Sequence, residues 1–396
     1  MSKKLTSQEI FDVFPKKEKG KLNIYFHISE NSGVGYYRQY LPALKIREHG
    51  LANVMISDFR WGDGDHVEPD TKMLFQIARW ADVIVVGRRD QAQFYAQWGG
   101  VREFFNVPVI IDTDDDIRHV RPFNPGYQGY QPGSEAITWN KYGTAKIFDA
   151  VTVTTEDLKD IYKKKNPRTY ILPNSIDMKE WDSHPRKEWN DGKIRIGFLA
   201  SAAHTEGVFI LKKPIKRILE KYPQTLFYIN DMYLGNFQDF PDELKTRISG
   251  IPWIKLQEWP KGIKALGLDI GCAPLADNHF NRSKSNLRYL EYSASGMPSV
   301  ISPVKPYLCV KNGETGFLAK EGDEWYAYLE KLILDEKLRV QIAKNAYEFV
   351  SKNFDIDKNV DEWVRIYADV HNKFHEFYGK KKEFIDVGKG KYKKIL

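Results

Sequence analysis

Lys284 and Glu291 are the two residues whose spacing most directly suggests chemistry. An apolar run, 268–275, is followed by a polar loop and then by a helical pattern that begins at residues 284–286. The first N–H groups of a helix and its positive dipole end bind anions, and Lys284 adds a cation beside them. Glu291 lies two turns further on nearly the same face, where it would accept hydrogen bonds from two vicinal ribose hydroxyls. This pattern predicts a nucleotide site. The alternative is two solvated helix charges and an ordinary serine N-cap.

Small-residue loops follow two other predicted strands. Gly33, Val34 and Gly35 come after the first strand, and glycine lets a backbone approach a ligand closely. The third glycine of a dinucleotide fingerprint is replaced by Arg38, and no P-loop lysine follows, so a dehydrogenase or P-loop enzyme is disfavoured. In the second half of the chain, residues 197–207 repeat the pattern of strand, loop and helix. Ser201 and His204 of that loop would donate to a phosphate oxygen or a sugar hydroxyl.

A run of carboxylates, 112–116, follows the predicted strand 109–111. Open α/β sheets bind their ligands at the carboxyl ends of the strands, so this run lies where a ligand is expected. One carboxylate would be catalytic, or the group would bind a divalent cation through oxygen ligands. The third possibility is that these side chains cap a helix and accept hydrogen bonds from loops. We predict no metal.

Composition limits the class of protein. A chain of 396 residues with 42% hydrophobic residues exceeds one ordinary core and predicts two domains. It lacks an apolar stretch long enough to span a bilayer and an apolar signal sequence at its start, so we expect a cytoplasmic protein. Cys272 and Cys309 are the two cysteines, and we expect both to be packing residues.

The formal net charge of +7 is unevenly distributed, because lysines are concentrated near the end of the chain, at 380–382 and 389–394. Such a basic tail would make weak contacts with a polyanion, either DNA or an anionic membrane surface. The alternative is a solvated end that promotes solubility.

Strand-like runs alternate with helical periodicity along the whole chain, which predicts an α/β protein with two doubly wound parallel sheets. The predicted strands are 22–28, 54–56, 83–86, 109–111, 150–153 and 169–172 in the first half, and 194–199, 226–229, 254–256, 268–273 and 299–301 in the second. A polar segment, 174–193, is predicted to link the halves. We therefore expect an N-terminal domain at 1–178, a C-terminal domain at 179–356, and a final helix with the basic tail at 357–396.

Taken in order, these motifs resemble retaining nucleotide-sugar glycosyltransferases of the GT-B fold, broadly those of glycosyltransferase family 4. The resemblance covers nearly the whole chain and lies in residues 33–35, 149–155, 172–177, 197–207, 269–275, 284–298 and 312–318. It implies two Rossmann-like domains facing across a cleft, an N-terminal acceptor domain and a C-terminal donor domain, with the last helix crossing back to the first domain. It also implies that the protein needs no cofactor beyond a nucleotide-sugar donor, a UDP-sugar such as UDP-glucose being favoured. We expect a monomer.

The resemblance assigns roles to individual residues. Glu291 would bind the ribose, Lys284 would stabilise the leaving diphosphate, and Asp115 or His119 would take the place of a histidine common in the first domain. The donor would be bound by Gly33, Val34, Gly35, Ser201, His204, Trp259, Lys284, Ser285, Asn286 and Glu291, and the acceptor by Arg38, Asp114, Tyr127 and Tyr130. Two departures are visible: Ser283 replaces the first glutamate of the family's Glu-x7-Glu motif, and the usual arginine and lysine near residues 201–204 are absent.

The acceptor is not specified by any motif. Aromatic residues between 118 and 142 would stack on sugars or on extruded bases, or simply fill a core. A modified base in phage DNA is one possible acceptor and a saccharide is the other main one, with lipid-linked and protein acceptors also open. A different class remains as the alternative, namely a non-catalytic protein that binds a nucleotide sugar or a polyanion.

Overall fold

The structure, a computed structural model, describes residues 17–28, 30, 32–57, 69–380, 384–386 and 392–394. The chain forms two compact units. The first comprises the described residues of Met1–Asp114, Gly133–Pro173 and Asn359–Leu396, and the second comprises Asp115–Pro132 and Asn174–Lys358. Residues 115–132 thus belong to the second unit, although they follow a strand of the first.

The first unit is built on a six-stranded parallel sheet in the order β2-β1-β3-β4-β5-β6. Its strands are rich in valine and isoleucine because helices cover both faces of such a sheet. They are β1 (Asn23–His27), β2 (Asn53–Ile56), β3 (Val83–Gly87), β4 (Val109–Thr113), β5 (Ala150–Val153) and β6 (Thr169–Ile171). The helices are α1 (Gly33–Gly35), α2 (Leu41–Glu48), α3 (Thr71–Trp80), α4 (Ala92–Phe105), α5 (Glu135–Lys146) and α6 (Glu156–Tyr162), with a π-helical turn, Tyr36–Tyr40, joining α1 to α2.

The second unit repeats this architecture with a six-stranded sheet in the order β12-β11-β10-β7-β8-β9. The strands are β7 (Ile194–Phe198), β8 (Thr225–Asn230), β9 (Ile248–Ile251), β10 (Ile270–Ala273), β11 (Ser299–Ile301) and β12 (Phe317–Leu318). The helices are α7 (Met178–Asp182), α8 (Thr205–Lys221), α9 (Asp242–Lys245), α10 (Trp259–Leu266), α11 (His279–Arg282), α12 (Leu287–Ala294), α13 (Gly322–Leu334) and α14 (Glu336–Asn353). All pairs of neighbouring strands are parallel.

Two glycines allow the close packing that brings these elements together. A Cβ on Gly35 would lie 2.0 Å from the carbonyl oxygen of Glu30, so only glycine fits where α1 turns back against the end of β1. A Cβ on Gly271 would lie 2.6 Å from the ring of Tyr292, which fixes how closely α12 packs on β10. Both positions lie beside loops that the sequence assigns to ligand binding.

The predicted α/β architecture with two doubly wound sheets is confirmed, and two strand predictions need correction. The strand predicted at 254–256 is wrong, because those residues lead into a 3₁₀ turn, Leu256–Glu258, and the edge strand is Ile248–Ile251 instead. Strand Phe317–Leu318 was not predicted. The predicted linker 174–193 contains a short helix, Met178–Asp182, whose Trp181 is buried.

The final helix α15 (Ile356–Tyr378) begins in the second unit and continues in the first. Its buried residues Trp363, Ile366, Tyr367, Val370 and Phe374 form the apolar stripe that the sequence predicts. Asn106 ends α4 in a left-handed conformation, and its amide donates to the carbonyls of Tyr378, Gly379 and Lys380. Beyond lies a hairpin of β13 (Phe384–Asp386) and β14 (Tyr392–Lys394). The tail lysines at 381, 382, 389 and 391 lie outside the described residues.

Candidate donor site of the second unit

The candidate site is centred on the segment that connects α11 to α12. Residues 284–286 come directly before α12, and Asn286 is the N-cap residue. The Asn286 amide lies 3.5 Å from the sulfur of Cys309 rather than capping the helix. The Ser285 hydroxyl accepts a hydrogen bond of 2.9 Å from the amide of Asn174. This segment is therefore anchored at Ser285, and the start of α12 has its dipole available for an anion.

Lys284 supplies a positive charge beside this helix start. Its ammonium group lies 4.5 Å from the centre of the Phe280 ring, which is a cation–π contact. Lys284 is half-buried, and within the described parts of the chain it makes no ion pair. A partly desolvated ammonium without a carboxylate partner is a favourable position for an anionic ligand.

Glu291 is held in a fixed orientation by two neighbours. Only 3% of the residue is exposed. The indole N–H of Trp259 donates to Oε1 at 2.8 Å, and Arg288, one turn earlier on α12, donates to Oε2 at 2.7 Å. Arg288 also lies over the Trp259 ring, 5.5 Å from its centre. The carboxylate can thus accept further hydrogen bonds from a ligand without having to reorient.

The loop after β7 brings a neutral histidine to the same neighbourhood. The backbone N–H of Ala200 donates to Asn230, and that of Leu199 donates to the Tyr292 hydroxyl, which fixes the loop. His204 is the N-cap residue of α8. Burial, followed by the positive charges of Lys284 and Arg288, holds the pKa of His204 well below its usual value. The imidazole is therefore neutral at neutral pH and can donate one hydrogen bond.

The segment 115–132 packs against α8 and α11 within this unit. A 3₁₀ turn, Ile117–His119, is capped by Asp116, whose carboxylate binds Arg118 and lies 2.6 Å from Nδ1 of His119. Although burial acts to raise it, hydrogen bonds from Arg118 and His119 lower the pKa of Asp116. The ring of His119 lies 5.2 Å from that of His279, in α11. The sequence-predicted His119 and Lys284 therefore lie at opposite ends of the short helix α11.

The same segment also contacts the start of α8. Arg121 pairs with Glu206 at 3.4 Å, and the amide of Asn278 donates to the other oxygen of Glu206 at 3.2 Å. Phe123 packs edge-on against Phe209 with 5.6 Å between ring centres. Residues 115–132 are thus joined to the two helices that border His204 and Lys284.

The remaining predicted residues are divided between the units. Ser201, Trp259, Asp115, Tyr127 and Tyr130 lie in the second unit, the two tyrosines at the ends of a 3₁₀ turn, Tyr127–Tyr130. Gly33, Val34, Gly35, Arg38 and Asp114 lie in the first. There the hydroxyl of Ser32 caps α1 by accepting from the N–H of Val34 at 3.1 Å.

The prediction that Arg38 contacts an acceptor is corrected by its burial. Arg38 has no exposed surface, and its guanidinium donates to both oxygens of Asp112, at 3.0 and 2.7 Å, and to the carbonyl of Leu172. Asp112, the first residue of the predicted carboxylate run, is equally buried and accepts from Thr152 at 2.6 Å. These side chains hold the sheet and the helices of the first unit together, so neither faces a ligand.

Two residues of the site were missed by sequence reasoning. Arg288 lies three residues before Glu291, a spacing that places two helical side chains in contact and was visible in the sequence. Asn174 is separated from Ser285 by more than one hundred residues, so its contact had no local signal. Ser283, at the position of the absent glutamate, is buried and donates to the carbonyl of Phe280.

The described residues contain no cluster of three or more histidine, cysteine or acidic side chains arranged to bind a metal ion. Among the helices found there, none is long and apolar enough to cross a membrane.

The two parallel sheets and their helices are those of the GT-B fold of glycosyltransferases. The structure is similar to a sucrose-phosphate synthase from Thermosynechococcus elongatus, with a TM-score of 0.64 and 14% identity over 89% of this chain and 100% of that one. It is also similar to HepE from Anabaena, solved with UDP and glucose, with a TM-score of 0.60 and 13% identity over 88% of this chain and 100% of that one. A glycosyltransferase from Rickettsia africae gives a TM-score of 0.61 at 13% identity, over 89% and 99% of the two chains. No protein-family model and no curated protein matches the sequence.

Proposed function

We propose that this protein is a retaining glycosyltransferase that transfers a sugar from a nucleotide-sugar donor, with a UDP-sugar favoured, to an acceptor hydroxyl. The observation that carries the proposal is the arrangement around α12. A lysine without an ion pair in the described chain stands at the helix start, and an almost fully buried, oriented carboxylate lies two turns further on. The similarity to HepE, which was solved with UDP-glucose, supports the choice of donor.

The donor diphosphate would lie at residues 284–286, with the ribose hydroxyls on Glu291 and the base near Trp259. The acceptor oxygen attacks the anomeric carbon from the same face from which the leaving group departs. As the bond between the anomeric carbon and the diphosphate oxygen breaks, negative charge develops on the diphosphate, and a departing phosphate oxygen takes up the proton of the acceptor hydroxyl. Lys284 and the start of α12 would stabilise that charge. His204, neutral because of its lowered pKa, would donate one hydrogen bond through its protonated ring nitrogen. This scheme uses no metal ion.

We propose that Asp115 or His119 acts beside the acceptor. Asp116 fixes the ring of His119 through Nδ1, which leaves Nε2 to meet a substrate. Tyr127, Tyr130 and Asp114 remain proposed acceptor contacts. A saccharide hydroxyl and a modified DNA base are both compatible with this chemistry. With a DNA acceptor, the lysines of the basic tail would add electrostatic attraction to the phosphates.

A thermal-shift panel of UDP-, GDP-, ADP- and CMP-linked sugars tests the donor, because a ligand that binds the folded state raises the melting temperature. Release of the nucleotide, with and without acceptor saccharides or base-modified DNA, then tests turnover. We expect stabilisation by a UDP-sugar and slow donor hydrolysis without acceptor. Binding without hydrolysis or transfer to any acceptor would favour the alternative of a non-catalytic binding protein.

Two variants test the assigned roles. Glu291→Ala is expected to raise the KM for donor about 10- to 100-fold through lost ribose hydrogen bonds, and Lys284→Ala is expected to lower kcat by a similar factor. Exposed, ion-paired residues of the same unit provide matched controls, Glu348→Ala and Lys311→Ala. If either site variant had the kinetics of its control, its role would be rejected.

A further inference from the structure

Arg288 is the strongest feature of the donor unit that the motifs leave without a role. Its side chain is 19% exposed and forms an ion pair of 2.7 Å with Glu291. Its guanidinium lies over two rings, 5.5 Å from the centre of Trp259 and 5.9 Å from that of Tyr292. The charge is thus held at the surface of the site rather than in the core.

Arg288 and Lys284 both place positive charge near His204. Both cations lower the pKa of His204, after the larger effect of burial, so both lie close to the imidazole at the start of α8. The helix starts of α8 and α12 add partial positive charge beside that imidazole. Lys284 and Arg288 are thus two cations whose charge reaches His204.

The contacts of Glu291 allow Arg288 to leave. Trp259 donates to Oε1 while Arg288 donates to Oε2, so the carboxylate keeps one orienting hydrogen bond when the guanidinium moves. A diphosphate oxygen offers the guanidinium a stronger acceptor than a carboxylate that must also bind ribose. Movement of Arg288 frees Oε2 for a hydroxyl at the moment the ribose arrives.

We infer that Arg288 is a second cation for the donor diphosphate, and that its guanidinium exchanges Glu291 for a phosphate oxygen when the donor binds. This inference rests on the proposed function, since it concerns the same nucleotide site. It assigns to one arginine both the neutralisation of Glu291 in the empty protein and the recognition of the diphosphate in the complex.

The test compares UDP with uridine as ligands of the full chain. Arg288→Met is expected to weaken UDP binding about 10- to 100-fold, the loss of one charge-assisted contact, while uridine binds unchanged or more tightly because Glu291 is released. If Arg288 only positions Glu291, both ligands weaken by the same factor. Titrations followed by calorimetry for UDP and by ligand-detected NMR for uridine separate these outcomes.

Further variants protect the test against misfolding. Arg288→Met leaves the Glu291 carboxylate buried without its ion pair to Arg288, so Arg288→Gln is also compared in a Glu291→Gln background, where the double variant has removed both charges. In the Glu291→Gln background, Arg288→Gln is again expected to weaken the binding of UDP and to leave the binding of uridine unchanged. Arg217→Ala, at an exposed ion pair with Asp323, is the matched control.

The possible failures are distinguishable. If the unmodified protein bound neither UDP nor uridine, the proposed function would fail and this inference with it. If it bound UDP but Arg288→Met bound both ligands as the control does, or lost both equally, the inference alone would be overturned.

Discussion

Replacing Arg38 by methionine is expected to destabilise the first unit by about 3–5 kcal/mol, because it leaves the carboxylate of Asp112 buried without its partner. Neither side chain has any exposed surface. Water therefore cannot take over the interactions that the guanidinium supplies, and the carboxylate must either remain charged in the core or take up a proton.

The magnitude follows from the contacts. The guanidinium makes two hydrogen bonds to Asp112 and one to the Leu172 carbonyl, and it lies 5.0 Å from the centre of the Trp363 ring. Thr152 still donates to Asp112 in the variant, which lessens the loss. Replacing all three polar groups, as in Arg38→Met/Asp112→Leu/Thr152→Val, removes the buried charge and is expected to recover most of the stability.

Urea denaturation followed by tryptophan fluorescence measures the effect, since Trp98 and Trp363 are buried in the first unit. The matched control is Arg365→Met on α15, where 68% of the arginine side chain and 46% of its partner Glu362 are exposed. Such exposed pairs contribute about 0–1 kcal/mol. The reasoning would be refuted if Arg38→Met cost no more than Arg365→Met, or if the triple variant were less stable than the single one.

Three smaller predictions concern other positions. The pKa of His204 is lowered in the folded state, so below about pH 6.5 the unfolded chain binds a proton that the folded chain does not. The free energy of unfolding therefore falls as the pH is lowered, by at most about 1.4 kcal/mol between about pH 7.5 and about pH 5.5. In urea denaturation at several pH values, His204→Asn should lack this part of the pH dependence of stability. A variant with the same pH dependence as the unmodified protein would contradict the prediction. Gly35→Ala should lower the free energy of unfolding by about 1–3 kcal/mol through its clash with Glu30, and the melting temperature with it, whereas Gly33→Ala, with open space around it, should not. Trp259→Phe should weaken uridine binding about 5- to 10-fold, measured by calorimetry or NMR, since Glu291 loses the hydrogen bond from Trp259 that orients it. Equal affinity of the variant and the unmodified protein for uridine would argue against this role of Trp259.

The strongly apolar strands were predictable because a parallel sheet covered on both faces requires continuous runs of valine and isoleucine. Strand Ile248–Ile251 escaped prediction because it is an edge strand with a glycine and a serine between its two isoleucines. The predicted run at 254–256 has apolar residues with strand-like alternation, but Pro252 and the exposed Trp253 come between it and the true strand. Local hydrophobicity identifies central strands better than edges.

The arrangement of the candidate donor residues was predictable for a different reason. The relative position of a lysine at a helix start and a glutamate two turns later depends on helical geometry alone, so it follows from their spacing in the sequence. Of Arg288 and Trp259, the two residues that orient Glu291, only Arg288 could be predicted as its neighbour from the sequence. Arg288 is a helical neighbour, whereas Trp259 reaches Glu291 from another helix and became visible as a partner in the folded chain.

Arg38 shows why residue type and position do not by themselves identify a binding residue. It follows a glycine loop at the carboxyl end of β1, where a ligand contact is expected, and Asp112 lies at the corresponding end of β4. Complementary charges brought to one sheet edge either meet a ligand or meet each other. Here they meet each other, because the π-helical turn Tyr36–Tyr40 directs Arg38 to the sheet, and Thr152 and Leu172 supply further hydrogen-bond partners. Lys284 differs in that the described chain gives it an aromatic ring and no carboxylate, and that difference is the physical basis for assigning the anion to the second unit.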